Sequence, residues 1–157
     1  MTWWDRNDVR QVDVVTGCFM LVRRDAIEQV GMMDERFFMY GEETDWCYRF
    51  RQKGWKVIFT PVGQIIHFGG QSAAQKPVAM IVQLRLSILK FMKKHYSWPA
   101  YFIARFLVAL FFAFRLPAWL ATAFVRPAER NEAVIKMKAY SIGVVNALFG
   151  RINSEKV

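Results

Sequence analysis

The stretch Phe37–Arg49 reads FFMYGEETDWCYR and gathers three carboxylates, Glu42, Glu43 and Asp45, behind a Tyr-Gly step and ahead of a tryptophan. Gly41 tolerates backbone angles closed to other residues, which suits a chain that turns sharply and then enters a helix. Acids in a first helical turn are favoured by the macrodipole, Asp45 and Arg49 stand four apart as a pair, and Gly54 marks the helix end. Two readings follow. One is a well-capped surface helix. The other takes account of the aromatic shell, Phe37, Phe38, Tyr40 and Trp46: a carboxylate beside apolar walls has its charged form disfavoured, holds a proton more tightly and suits a general base.

Upstream, Val12–Val22 (VDVVTGCFMLV) is apolar and rich in β-branched residues, and predicts a buried strand with Gly17 at a bulge or a close backbone approach. Asp25 with Glu28 reads as a capping box for a short helix that Gly31 ends. Met32–Tyr40 is a loop leading to the acidic turn. Downstream, Trp55–Thr60 (WKVIFT) alternates as a strand, with Val57 and Phe59 on one side and Lys56, Ile58 and Thr60 on the other. Pro61 stops it, Gln64–Phe68 reads as a further short strand, and Gly69-Gly70-Gln71-Ser72 as a loop. The order is α/β, with too few strands for a complete doubly wound sheet.

The chain has two unlike halves. Of its 157 residues 54% are hydrophobic, and the net charge of +9 arises wholly beyond Lys76: ten Lys/Arg balance ten Asp/Glu up to and including Lys76, and twelve face three after it. The expected division is therefore 1–76, the α/β part, and 77–157, a basic and apolar helical region. Basic charge interleaved with long apolar runs points to an anionic membrane surface. No Arg-Gly tract, zinc spacing or aromatic RNA-binding signature supports nucleic acid as a partner. In Ala79–Tyr96 the polar residues Gln83, Ser87, Lys90 and Lys94 form one helical stripe. Tyr101–Val125 is apolar apart from Arg105, Arg115 and Thr122. Its aliphatic and aromatic residues favour insertion by several kcal/mol, and each central Arg opposes it by about 2.5–3.5 kcal/mol. With the sum near zero, an in-plane or re-entrant hairpin is expected, bent at Pro117, with Trp98 and Trp119 at the interface and Lys90, Lys93 and Lys94 toward headgroups; a core helix pair of a larger protein is the alternative, ahead of a single span. Pro127–Gly150 reads as a last amphipathic helix. Cys18 and Cys47 lack a CxxC partner and read as buried free thiols, and the N-terminal MTWWDRND has no signal-peptide core.

The run from VTGCFMLVRR through GMMDERFFMYGEE and RQKGWKV to HFGGQS resembles the C-terminal part of the catalytic domain of family 2 glycosyltransferases, in particular the bacterial rhamnosyltransferase-like branch, over roughly residues 10–95. The resemblance implies a GT-A fold and inverting transfer of a hexosyl or rhamnosyl unit from a nucleotide-sugar, usually with Mg2+ or Mn2+. It places the catalytic base in the acidic pair after the Tyr-Gly turn, at Glu43, where most members have Asp. Glu42 and Asp45 would then place the acceptor or tune the base. Tyr40 and Trp46 have the form to stack on a sugar, Gly41, Gly69 and Gly70 to let backbone approach substrate, and His67 to reach the metal or diphosphate. Core packing for Trp46 and a backbone-bonded His67 stand as the alternatives.

The resemblance also implies a nucleotide-binding half with an Asp-x-Asp metal motif, and this sequence contains no Asp-x-Asp. The expectation is thus a partial enzyme, inactive alone, that acts in polysaccharide biosynthesis of the cell envelope. It would serve a cell-surface or lipid-linked glycan acceptor at the cytoplasmic face of the bacterial inner membrane, peripheral or re-entrant. A non-enzymatic membrane-interaction module is the alternative.

Overall fold

The computed structural model describes residues 4–68 and 76–150. Among these the protein is mostly helical with one small two-stranded sheet, and the chain divides into two compact units, Met1–Gly69 and Gly70–Val157.

In the first unit β1 (Arg10–Gln11) pairs antiparallel with β2 (Ile58–Phe59), Arg10 opposite Phe59 and Gln11 opposite Ile58. The Val12 N–H donates to the Val57 carbonyl at 3.0 Å and extends the pairing by one step. The alternation expected in 55–60 is found: Val57 is buried and Phe59 half-buried, while Lys56, Ile58 and Thr60 are exposed. Two helices follow β1, α1 (Arg24–Val30) and α2 (Glu42–Gln52). The expected capping box is not formed. Asp25 lies inside the first turn of α1 and is held by Arg23 at 2.6 Å, while Glu28 is taken by Arg24 at 3.0 Å. Gly31 does end α1, with φ 83° and its N–H on the Ile27 carbonyl.

The Val12–Val22 strand needs correcting. Beyond Val12 this segment has no ladder partner among the described residues. It runs instead along α2. Asp13 is bonded to Arg51 at 2.8 Å, the Val15 backbone hydrogen-bonds the Cys47 thiol, and a Cβ built on Gly17 would lie 3.6 Å from Glu43 Cβ. Two residues of extended chain advance about 6.6 Å and four residues of helix about 6 Å, so residues 13, 15 and 17 match the 51, 47 and 43 stripe antiparallel. Phe19 and Leu21 are left exposed. Residues 64–68 likewise form no strand and are exposed, and Cys18, expected buried, is exposed.

The second unit is a helical bundle of α3 (Pro77–His95), α4 (Trp98–Ala113), α5 (Leu116–Val125), a 3-10 turn (Pro127–Glu129) and α6 (Arg130–Phe149). Pro77, Pro99 and Pro117 sit in first turns, where their missing N–H costs nothing. The core joins Val82, Leu86 and Leu89 of α3 to Val108 and Phe112 of α4 and Tyr140 of α6. The chain does not fold back at Pro117. Phe114 and Arg115, between α4 and α5, keep right-handed helical angles. Arg105 reaches Ala147, the Phe112 ring lies 5.8 Å from Tyr140, and Lys136 Nζ is 5.7 Å from the Trp119 ring. Residues 105, 112 and 119 thus meet α6 at 147, 140 and 136 in descending order, so α4 and α5 form one kinked rod antiparallel to α6 rather than a hairpin.

The polarity of this bundle is partly inverted. Gln83 and Ser87, half of the expected polar stripe of α3, are buried, as is Asn146, whereas Leu84, Ile88, Phe106, Phe114 and Phe124 are exposed. Small residues face inward on α6: Ala139, Gly143 and Ala147, with the Phe112 ring seated so close to Gly143 that an added Cβ would lie 2.5 Å from it. Trp98–Val125 is long and apolar enough to cross a bilayer, and 17% of its most apolar window is buried inside the protein.

Candidate active site

The turn that carries the acids is built from two consecutive residues in the left-handed region, Tyr40 at φ 65° and Gly41 at φ 94°. Gly41 was legible as a turn residue; Tyr40 was not, because a tyrosine there stores about 1–2 kcal/mol of steric strain. The reversal ends at once in α2, so Glu42, Glu43 and Asp45 occupy its first turn, where unsatisfied backbone N–H groups and the macrodipole favour negative charge.

The three carboxylates then part company. Asp45 is wholly buried and bonded by Arg49 Nε at 2.8 Å. Arg49 also donates to the Val30 carbonyl at 2.8 Å and the Met32 carbonyl at 2.7 Å, and the Trp46 indole N–H donates to the Gly31 carbonyl at 2.9 Å. One turn of α2 therefore binds three consecutive carbonyls at the end of α1. Asp45 orients Arg49 for this task. Trp46 packs with Ala26 and Phe50 in the core and presents no ring to a sugar.

Glu42 and Glu43 remain. Each is only partly buried, yet the Oε2 atom of each is sequestered from solvent with no hydrogen-bond partner. Burial holds the Glu42 carboxyl above the ordinary carboxylate range; a bond to its own backbone opposes this, while the Glu43 charge and a hydrogen bond shared with Glu43 add to it. Burial also raises the Cys47 thiol, one turn further along α2, which keeps it a neutral wall residue. Gly17 lies against the Glu43 side chain. The sequence signalled Gly17 as a close approach but not what it approaches.

Tyr40 is half-buried at the mouth of the turn, and His67 is exposed. Gly69 and Gly70 lie outside the described residues. Among the described residues no three His, Cys, Asp or Glu side chains come together as a metal-binding group, so these residues do not by themselves fit a divalent ion.

Curated relatives of this chain are glycosyltransferases. It is 33% identical over 90 residues to the N-acetylglucosaminyl-diphospho-decaprenol L-rhamnosyltransferase of Mycobacterium tuberculosis, which is 57% of this chain and 29% of that protein. It is 34% identical over 61 residues to a low-salt glycan biosynthesis hexosyltransferase of Haloferax volcanii, 39% of this chain and 20% of the relative. Against the rhamnosyltransferase WbbL of Escherichia coli the figure is 37% over 57 residues, 36% of this chain and 22% of the relative. No family model matches the chain, and no solved structure matches it significantly. The likeness to rhamnosyltransferases and other glycosyltransferases is thus shown for part of the chain, which spans less than a third of the length of these relatives.

Proposed function

We propose that this chain is the acceptor-side part of an inverting family 2 glycosyltransferase of GT-A type, moving a hexosyl or rhamnosyl unit from a nucleotide-sugar to a lipid-linked or cell-surface glycan. The observation that carries the reading is the pair of sequestered, unpartnered carboxylate oxygens on Glu42 and Glu43 at the head of α2, within a chain similar to proteins named as rhamnosyltransferases. Glu43 is the base. It takes the proton of the acceptor hydroxyl as that oxygen bonds to the anomeric carbon, while the carbon–oxygen bond to the nucleoside diphosphate breaks on the opposite face and its electron pair leaves with the diphosphate. Glu42, whose proton affinity burial raises, stands beside it and orients it. Asp45 acts at one remove, fixing α2 on α1 through Arg49. Tyr40 borders the acceptor. The Mg2+ or Mn2+ of the family belongs to the donor side, and nothing proposed for these residues depends on it.

The exposed face of the extended segment, Phe19 and Leu21 among it, supports a chain that works joined to a donor-binding part and does not turn over nucleotide-sugar alone. The helical unit, with apolar side chains outside and Gln83, Ser87 and Asn146 inside, supports residence on the cytoplasmic face of the inner membrane. Arg105 is compatible with that setting because its guanidinium is spent on the Ala147 and Leu148 carbonyls at the end of α6.

The test is Glu43→Gln in the enzyme completed with a donor-binding part. Transfer should fall about 10²- to 10⁴-fold with the melting temperature unchanged. A variant as active as its parent removes Glu43 as base, and vesicle binding that persists without any transfer favours the membrane module over the enzyme.

A further inference from the structure

Residues 19–22, which lead from the turn at Gly17 and Cys18 into α1, carry their side chains alternately inward and outward. Met20 and Val22 pack against the core of Ala26, Trp46 and Phe50. Phe19 and Leu21 are left outside: Leu21 is 89% exposed and Phe19 53%, its ring resting beside Gly63, where an added Cβ would lie 3.6 Å from it. Arg23, the next residue, keeps the extended angles φ −67° and ψ 137°. This is the period of two of a strand with one face on a core. Yet among the described residues none of these four makes a backbone hydrogen bond.

The segment therefore offers two things along one line, free N–H and C=O groups and two large apolar side chains. Water satisfies the first and not the second. A hydrocarbon surface does the reverse, because it can neither donate nor accept a hydrogen bond. Another extended chain answers both, its backbone pairing with the edge and its side chains packing beside Phe19 and Leu21. We propose that residues 19–22 are an open sheet edge whose partner is a strand of the donor-binding part. The 90 residues aligned with the rhamnosyltransferase of Mycobacterium tuberculosis cover 29% of that protein, so most of such an enzyme lies outside the aligned stretch and has strands to give. The choice of the donor-binding part over a second copy of this chain rests on the transferase reading above; the open edge does not.

Amide hydrogen exchange, resolved by residue, tests both. In the chain alone the amides of residues 19–22 should exchange without protection. In the enzyme completed with a donor-binding part every second one of them should slow about a hundredfold or more, because the N–H groups of a strand point alternately to its two edges. Leu21→Lys places a charge on the edge, which blocks strand addition, and should restore fast exchange in the completed enzyme while the melting temperature of the chain alone stays as in the parent. Met32→Lys, the same change at another exposed apolar residue, should leave the protection in place. Protection already present in the dilute, monomeric chain, four amides that stay fast in the completed enzyme, or four that slow equally overturns the strand edge. So does a Leu21→Lys variant that keeps the alternating protection, or a Met32→Lys variant that loses it equally. Alternating protection in the chain alone that grows with its concentration keeps the edge and assigns it to a second copy, overturning the donor-part assignment. Alternating protection in a completed enzyme that transfers no sugar keeps the edge and removes the transferase reading, whereas transfer with free amides does the opposite.

Discussion

In Met1–Gly69 the buried charge is Asp45, answered at 2.8 Å by Arg49, which in turn reaches two carbonyls of a neighbouring segment. In Gly70–Val157 the buried polar groups are Gln83, Ser87 and Asn146, while Leu84, Ile88 and Phe124 point outward. One unit spends hydrogen bonds on holding two short helices in register, because a core of Ala26, Trp46 and Phe50 is too small to fix them by packing alone. The other adds to its apolar core a close approach of small residues to an aromatic ring and leaves many further large side chains exposed. The first arrangement fixes the place of a few side chains, as chemistry requires. The second suits an apolar environment, in which burying more Leu and Phe between helices brings no gain over leaving them outside.

That contrast breaks most severely at Asp45. Asp45→Asn should cost about 3 kcal/mol, since the guanidinium of Arg49 loses its partner in a buried position; urea unfolding reads it, and a loss near zero would mean the carbonyls alone hold Arg49. The matching test in the bundle is Gly143→Ala, whose methyl would collide with the Phe112 ring. A cost of about 2 kcal/mol is expected from overpacking, and an unchanged melting temperature would show that the ring gives way. A smaller effect of opposite sign belongs to Tyr40. Tyr40→Gly relieves a positive φ and should stabilise the chain by up to about 1 kcal/mol, less the added chain entropy, while lowering transfer if the ring borders the acceptor.

The finest test concerns Glu42. Its folded proton affinity is raised, so the folded state holds more protons than the unfolded one between the ordinary carboxylate pKa and the raised value, and stability falls as pH climbs through that window. Above the window the penalty is complete. Glu42→Gln should flatten the fall and leave the variant the more stable above it; parallel stability–pH curves for the two proteins would show that Glu42 titrates as an exposed carboxylate does.

Much of the candidate site was legible because it is local. Gly41, the acids of the first turn, the Asp45–Arg49 spacing and the Gly31 and Gly54 stops all act within a few residues, where backbone sterics and helix geometry leave little choice. The Val12–Val22 strand was misread for the opposite reason. An apolar run rich in β-branched residues specifies extended chain, but pairing requires a neighbour, and here residues 13, 15 and 17 lie along the 43, 47 and 51 stripe of α2 instead. The polar stripe of α3 was seen as a stripe, yet its spacing could not say that Gln83 and Ser87 face inward. The bend of a hairpin was likewise placed at Pro117, which a first helical turn accommodates; the helix interruption falls at Phe114–Arg115, with no reversal of the chain.

By itself, then, the sequence determined where the acids cluster, where the helices stop, how the charge divides between the halves and which transferases the chain resembles. Those follow from residue type and short-range spacing. Only the tertiary structure decided which acid is spent on Arg49, which two keep unpartnered oxygens, and that Trp46 belongs to the core. Each of these depends on contacts between residues far apart in the chain, whose partners no local pattern names.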